Sequence, residues 1–451
     1  MLDKQEKRTF FKQMFAIALP IALQNIITVA VGMADTVMLG SLGETQLSAS
    51  ALANQLFFIF MLVMFGTSGG TSVMVAQFWG KRDTASIKKV LAYTYRLVLV
   101  VAILMTVIST VFPEYVLSFF TNEPEVIAEG VKYLRVVSIG FIFFGFSTIT
   151  SGVLRSVHNV KIAVIASAVS VATNIFFNWV FIFGNLGAPA LGVVGAAIAT
   201  TIARIVESAI IIGYALIFEK ELKIRIKELW HIDLKLAKSY FQNVIPVMCN
   251  ELLWSLGASM LSAIMGHMGS EVVSANSIYS VVAQFSGVLV QGISSAAAVL
   301  VGNTIGAGEY DTLDFKIHAL QIMGVIVGLI SFIIVFSSRP LMMVIYNVGD
   351  TTKEYVNQIM IVGAFLELIN SLVFVNMVGI LRGGGDAKFV LINDILFLWI
   401  LAVPLGYLTG LVWHWPIPAV FFVLKCDSII KCVTSFIRIH RKKWIKNVTV
   451  Y

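Results

Sequence analysis

Twelve times the chain returns to a stretch of about 20 mostly apolar residues, the length an α-helix needs to cross the hydrocarbon of a bilayer. The stretches centre near residues 27, 63, 101, 142, 172, 204, 254, 289, 327, 369, 399 and 428. In lipid every backbone N–H and C=O must be satisfied within its own segment, so this pattern dictates an all-α polytopic membrane protein. Composition agrees, since 58% of the 451 residues are apolar and only 13% charged, unlike a water-soluble chain of this length. The net charge of +7 does not point to nucleic acid, because the basic residues gather beside the spans.

Lys and Arg resist translocation and so set orientation. Lys4, Lys7, Arg8 and Lys12 precede the first span, Lys81, Arg82, Lys88 and Lys89 follow the second, and Arg155 and Lys161 follow the fourth. The segment FEKELKIRIKELWHIDLKLAK after the sixth span and RIHRKKWIK near the end continue the series, whereas the alternate loops GSLGETQLSA, GNLGAPALG and GHMGSEVVSA contain neither residue. Both termini are therefore expected in the cytoplasm, with the protein multi-pass in the plasma membrane. The basic start and long apolar continuation read as an uncleaved first helix rather than a signal peptide. Cys249, Cys426 and Cys432 fall within spans in no metal-ligand spacing and are expected as free thiols.

The two halves repeat. One fixed offset lays Pro20 on Pro246, Gly40 on Gly266, Gly43 on Gly269, Gly66 on Gly292 and Gly80 on Gly306; a one-residue slip then lays Gly152 on Gly379, Leu154 on Leu381 and Arg155 on Arg382. With six spans per copy, both copies start on the same side of the membrane, which is a parallel repeat about an axis along its normal. The expected division is a six-helix lobe at 1–218, a cytoplasmic linker at 219–240 and a second six-helix lobe at 241–451.

The segments LPIALQN and ADTVMLGSLG in the first span, AQFWGKRD after the second, SGVLRSVHN after the fourth, NIFFNWVFIFGNLGAPALGVVGAAIATTIAR across the fifth and sixth, and VGNTIGAGE and GILRGGGDAK in the second half resemble the multidrug and toxic compound extrusion (MATE) transporters in order and spacing. The resemblance covers nearly the whole chain. It implies two six-helix lobes facing a central cleft, and export of amphipathic or cationic drugs driven by inward movement of H⁺ or Na⁺. It implies no cofactor beyond that ion, small drug-like substrates and membrane lipid as the only other partners, and no enzymatic role. A monomer is expected. Two alternatives stay open: a flippase for a lipid-linked precursor, for which an expanded basic cleft would speak, and a membrane-embedded enzyme, which should show paired catalytic groups at one depth.

An Asp at a helix centre costs about 2.5–3.5 kcal/mol on insertion scales, which makes Asp35 in the first span a functional candidate. It precedes Gly40 by five residues, about 7 Å of helix, and Asn178 lies at a matching depth in the fifth span. Asn174 is one turn below Asn178 on the same face, and the sixth span brings Thr200 and Thr201. Carboxylate, amide and hydroxyl oxygens together can hold a proton or Na⁺; a neutral Asp–Asn bond joining helices is the structural alternative. The resemblance agrees, since similar transporters place their cation-responsive carboxylate in the first helix. Pro20 and its repeat partner Pro246 are candidate hinges, each depriving a carbonyl one turn earlier of its donor.

Glu251 is the second-half candidate, at a place where some members of the resembled family carry an acid. Their aspartate on the tenth helix is Ser371 here, and Glu367 stands one turn away on the same face. Arg204 with Glu207, and Asp427 with Lys431, have the spacings of intrahelical ion pairs. Asn393 and Asp394 have no assigned partner. RGGGDAK lacks the Lys-Ser/Thr ending of a phosphate loop and reads as a turn.

Overall fold

The computed structural model describes residues 3–225, 228, 233–346 and 348–450, so the linker expected at 219–240 lies partly outside the described residues. No β-strand occurs among them. In chain order the helices are α1 (Lys4–Gly40), α2 (Glu44–Gly80), α3 (Thr84–Val111), α4 (Pro113–Ser118), α5 (Pro124–Val137), α6 (Gly140–Ser156), α7 (Lys161–Phe183) and α8 (Val193–Ile217). The second half supplies α9 (Leu234–Gly266), α10 (Ser270–Ala307), α11 (Tyr310–Ile345), α12 (Asp350–Phe374), α13 (Ala387–Asp394), α14 (Val403–Tyr407), α15 (Ile417–Lys425) and α16 (Asp427–His440). Wider turns at Val375–Leu381, Ile395–Ala402 and Leu408–Val412 extend α12, and fuse α13 with α14, into helices at 350–381 and 387–412.

Among the described residues ten helices are long and apolar enough to span a membrane, and α5 with α6, bent by 50°, form one more. The protein is thus a multi-pass, all-helical membrane protein. Where the sequence reads a twelfth span, α15 and α16 follow each other with a break at Cys426, and each alone is shorter than a span. Helix ends carry their own signals. Asp83 caps α3 by accepting from the Ser86 amide at 3.0 Å, and prolines open α4 and α5, where no amide donor is needed.

Backbone geometry follows the sequence repeat. Gly43 and Gly269, aligned by it, have φ of 129° and 126°, and Arg82 and Gly308 have 59° and 74°. After α6, His158 (φ 66°) donates its amide to Arg155 O at 3.1 Å and Asn159 to Leu154 O at 2.8 Å. Gly385 (φ 89°) and Asp386 repeat those bonds to Arg382 O and Leu381 O at 2.9 and 3.0 Å. The same left-handed helix stop therefore occurs in both halves.

The chain divides into two compact units, one of Met1–Ala22, Ala76–Arg82 and Ile245–Tyr451, the other of Leu23–Val75 and Asp83–Val244. The first therefore takes in two N-terminal pieces. The physical reason is close backbone packing: a β-carbon on Gly292 would stand 2.7 Å from Ala18 O, and the ends of α2 and α10 cross at Gly80 and Gly306. Gln77 also bonds Lys446 O at 3.1 Å and the Val448 amide at 2.8 Å. In this unit Tyr279 meets Phe421 edge-on at 5.2 Å within a core that includes Ile264, Met360 and Leu398. In the other, Phe60 stacks on Phe141 at 5.1 Å. There the segment before α9 is tied to α3 by Lys88–Glu228 (2.7 Å) and Lys89–Asp233 (3.2 Å), and these lysines hold both carboxyls below their usual range.

Candidate cation site and polar chains

The site predicted in the first half lies wholly within the unit of Leu23–Val75 and Asp83–Val244. Asn178, on α7, donates from Nδ2 to Asp35 Oδ1 at 2.5 Å and to Asn174 Oδ1 at 3.2 Å. Asn174 in turn donates to Thr200 Oγ1 on α8 at 3.3 Å. Asn174 and Asn178 are buried, and Asn178 Oδ1 has no hydrogen-bond partner among the described residues. A buried acceptor without a donor is costly, and it is satisfied by a proton-bearing group or a cation.

Thr201 is placed differently. Its hydroxyl donates to Ala197 O at 2.8 Å and Val136 O at 3.2 Å, because consecutive helix residues point about 100° apart and only one of the two threonines can face Asn174. Tyr133, on α5 and not singled out by the sequence, reaches toward Asn54 at 3.5 Å and interacts with Thr200 and the Asp35 charge. Arg204 acts on the Asp35 charge from α8. It pairs with Glu207 at 3.0 Å and lies over the rings of Phe144 and Phe57, at 4.9 and 5.7 Å. Glu207 also accepts from Ser167 at 3.2 Å, and Ser167 from Gln24 at 3.1 Å.

The second half builds a longer chain, within its own unit. Glu251 accepts from Arg382 Nη1 at 2.8 Å, and Arg382 Nη2 donates to Asn250 Oδ1 at 2.7 Å. Asn250 Nδ2 donates to Asp394 Oδ2 at 2.6 Å, and Lys431 joins Asp394 and Asp427 at 2.7 and 2.8 Å. Asn250 to Asp394 is the repeat counterpart of Gln24 to Ser167. Glu367 has a different partner, the Tyr279 hydroxyl at 2.9 Å, and Ser371 donates to Glu367 O at 2.9 Å. α1 runs unbroken through Pro20 and α9 through Pro246. Among the described residues no three His, Cys, Asp or Glu side chains gather as a metal site. Around Asp35 the oxygens are one carboxylate with neutral amides and a hydroxyl, a set suited to a proton or a monovalent cation rather than a transition metal.

The MatE family model matches residues 20–180 and again 246–408, its two copies beginning at Pro20 and Pro246, the pair that the sequence repeat aligns. The chain is 24% identical to the probable multidrug resistance protein NorM of Thermotoga maritima, over 100% of this chain and 96% of that protein. It is 22% identical to the uncharacterized transporter YisQ of Bacillus subtilis, over 99% and 97%. The fold matches a solved structure of a MOP superfamily transporter from Pyrococcus furiosus with a TM-score of 0.86 at 18% identity, covering 96% of each chain. It also matches a MATE structure in the bent conformation with a TM-score of 0.87, covering 98% of this chain and 97% of that one. With both halves of the chain matched and the helical architecture shared, this protein belongs to the MatE family, whose members are membrane transporters and not enzymes.

Proposed function

We propose that this chain exports amphipathic, often cationic, small molecules across the plasma membrane in exchange for H⁺ or Na⁺, by alternating access. Relatives named as multidrug resistance proteins support the substrate class. The observation that carries the coupling is the Asp35 cluster: an intramembrane carboxylate beside the donor-less Asn178 Oδ1, with Asn174 and Thr200 completing a set of oxygens. Ionised, Asp35 draws a cation from water. Occupied, it is neutral, and α1 loses the reason to keep that face toward a polar surrounding. Transport requires that the ion bind the two access states with different free energy, because equal binding shifts neither. Pro20 is the point at which α1 bends between them, and Pro246 serves α9 in the same way.

In this reading two six-helix lobes, 1–218 and 241–451, are joined by a cytoplasmic linker at 219–240, both termini are cytoplasmic, and one chain is the working unit. Thr201 supports the site through the backbone of α5 and α8. Glu251 and Glu367 take part from the second lobe through Arg382 and Tyr279. The test is ethidium movement in proteoliposomes, with pH and Na⁺ gradients imposed separately. Transport driven by one gradient and abolished by its collapse supports the proposal; ethidium movement indifferent to both gradients contradicts it.

A further inference from the structure

The polar chain of the second half has an odd charge count. Arg382 and Glu251 pair with each other, but among the described residues Lys431 is the one cation paired with the two carboxylates Asp394 and Asp427. All three side chains are withdrawn from solvent: Lys431 is 6% exposed, Asp427 10% and Asp394 15%. An uncompensated charge in a membrane interior is expensive and is relieved by neutralisation or pairing. Both oxygens of Asp394 are engaged, by Lys431 and by Asn250. Asp427 Oδ2 is engaged by Lys431, and its Oδ1 makes no hydrogen bond to the described residues.

We propose that the Asp394–Lys431–Asp427 triad is a second proton-binding site of this transporter, with the proton taken from water onto Asp427 Oδ1 and Lys431 acting as the positioning residue. The O–H bond forms on the one unengaged oxygen, and Lys431 remains charged and paired with Asp394. A proton fits where Na⁺ does not, because the space between the two carboxylates is already filled by an ammonium group. The buried Nε–H of Arg382, which has no acceptor, offers a hydrogen-bonding place for water approaching along the same polar chain. Asp427 is the first residue of α16, immediately after the break at Cys426, so protonation loosens its tie to Lys431 one turn on and frees the joint between α15 and α16.

Other charged groups on the surrounding elements have their own partners or make no ion pair with the triad. Glu367 on α12 is held by Tyr279 on α10, and Arg438 on α16 by Asp386. Lys388 on α13 and Lys425 on α15 form no salt bridge with either aspartate, and Cys249, Cys426 and Cys432 are free thiols. The proposal rests on the exchange reading above only for its role in transport; proton binding itself is measured without any substrate.

The experiment is infrared difference spectroscopy of the full-length protein in proteoliposomes, titrated between acid and alkaline buffer, read at the C=O stretch of protonated carboxyls. A titrating band is expected that persists in Asp35→Asn, which separates it from the first-half site. Because the count rather than one residue decides, the band should vanish in Asp427→Asn and also in Asp394→Asn, each of which leaves one aspartate fully paired with Lys431. Should one of these variants fail to fold, the other still decides. A band lost in Asp35→Asn, one unaffected by both aspartate variants, or one abolished when Na⁺ replaces choline would overturn the proposal.

Discussion

Gly80 and Gly306 each lie against the backbone of the helix that carries the other. A β-carbon on Gly80 would stand 2.0 Å from Asn303 O, and one on Gly306 would stand 1.8 Å from Gln77 O. Gln77 and Asn303 are themselves aligned by the repeat, so α2 and α10 meet through the same surface used twice, as in an isologous interface.

That crossing should tolerate no side chain. Gly80→Ala and Gly306→Ala are each expected to destabilise by about 1–3 kcal/mol, the range for overpacking a tight contact, and the double variant by less than their sum because the sites touch. Gly287→Ala, also on α10 but with nothing within 4 Å of its β-carbon, should stay within about 0.5 kcal/mol of the parent. Thermal unfolding in detergent, followed by size-exclusion chromatography, measures all four.

His158 occupies a left-handed position outside the spans; its side chain keeps contact with solvent, and the protein packed around it pushes the imidazole below the usual range only against that screening, so its contribution is small. A depressed histidine leaves stability intact above the unfolded value of about 6.5 and loses it as pH falls, because the unfolded chain takes up a proton that the folded chain resists. The repeat partner, Gly385, meets the same backbone requirement without a titrating group. His158→Gly should therefore raise the melting temperature, and more at about pH 5 than at about pH 8. An equal gain at both would leave only relief of the left-handed backbone.

Trp444 is 0% exposed, donates to Ile439 O at 3.0 Å and packs against Gly384. Its neighbour Lys446 pairs with Asp386, which Arg438 also holds, at 2.7 Å. This C-terminal segment is thus a packed part of its unit. Trp444→Ala should cost about 3–5 kcal/mol locally, the range for emptying an aromatic site. Limited trypsin digestion should then cleave at Lys443 and Lys446 faster than in the parent protein.

The sequence reveals contacts wherever spacing alone decides them. Arg204–Glu207 and Asp427–Lys431 follow from helix periodicity, and Asp35 with Asn178 from equal depth on two helices running the same way. Depth does not give helix rotation, so it could not separate Thr200 from Thr201. Nor could it join Asp394 to Lys431 and Asn250, which stand on three helices distant in sequence. The pairing of Arg382 with Glu251 had a readable trace, since Arg155 and Arg382 align in the repeat while Asn25 stands where the second copy has Glu251. Tyr133 left no such trace, because an aromatic residue on an apolar helix face looks the same whether its hydroxyl is used or not.

Coupling through Asp35 is most directly tested by gradient-driven ethidium transport in proteoliposomes carrying the parent protein, Asp35→Asn or Asn178→Ala. Asp35→Asn should fold and still bind ethidium but transport no faster with a gradient than without one. Asn178→Ala should lose about tenfold, as expected for one hydrogen bond to a charged group worth about 1.5 kcal/mol. A well-folded Asp35→Asn protein that still moves ethidium against its gradient would contradict the account.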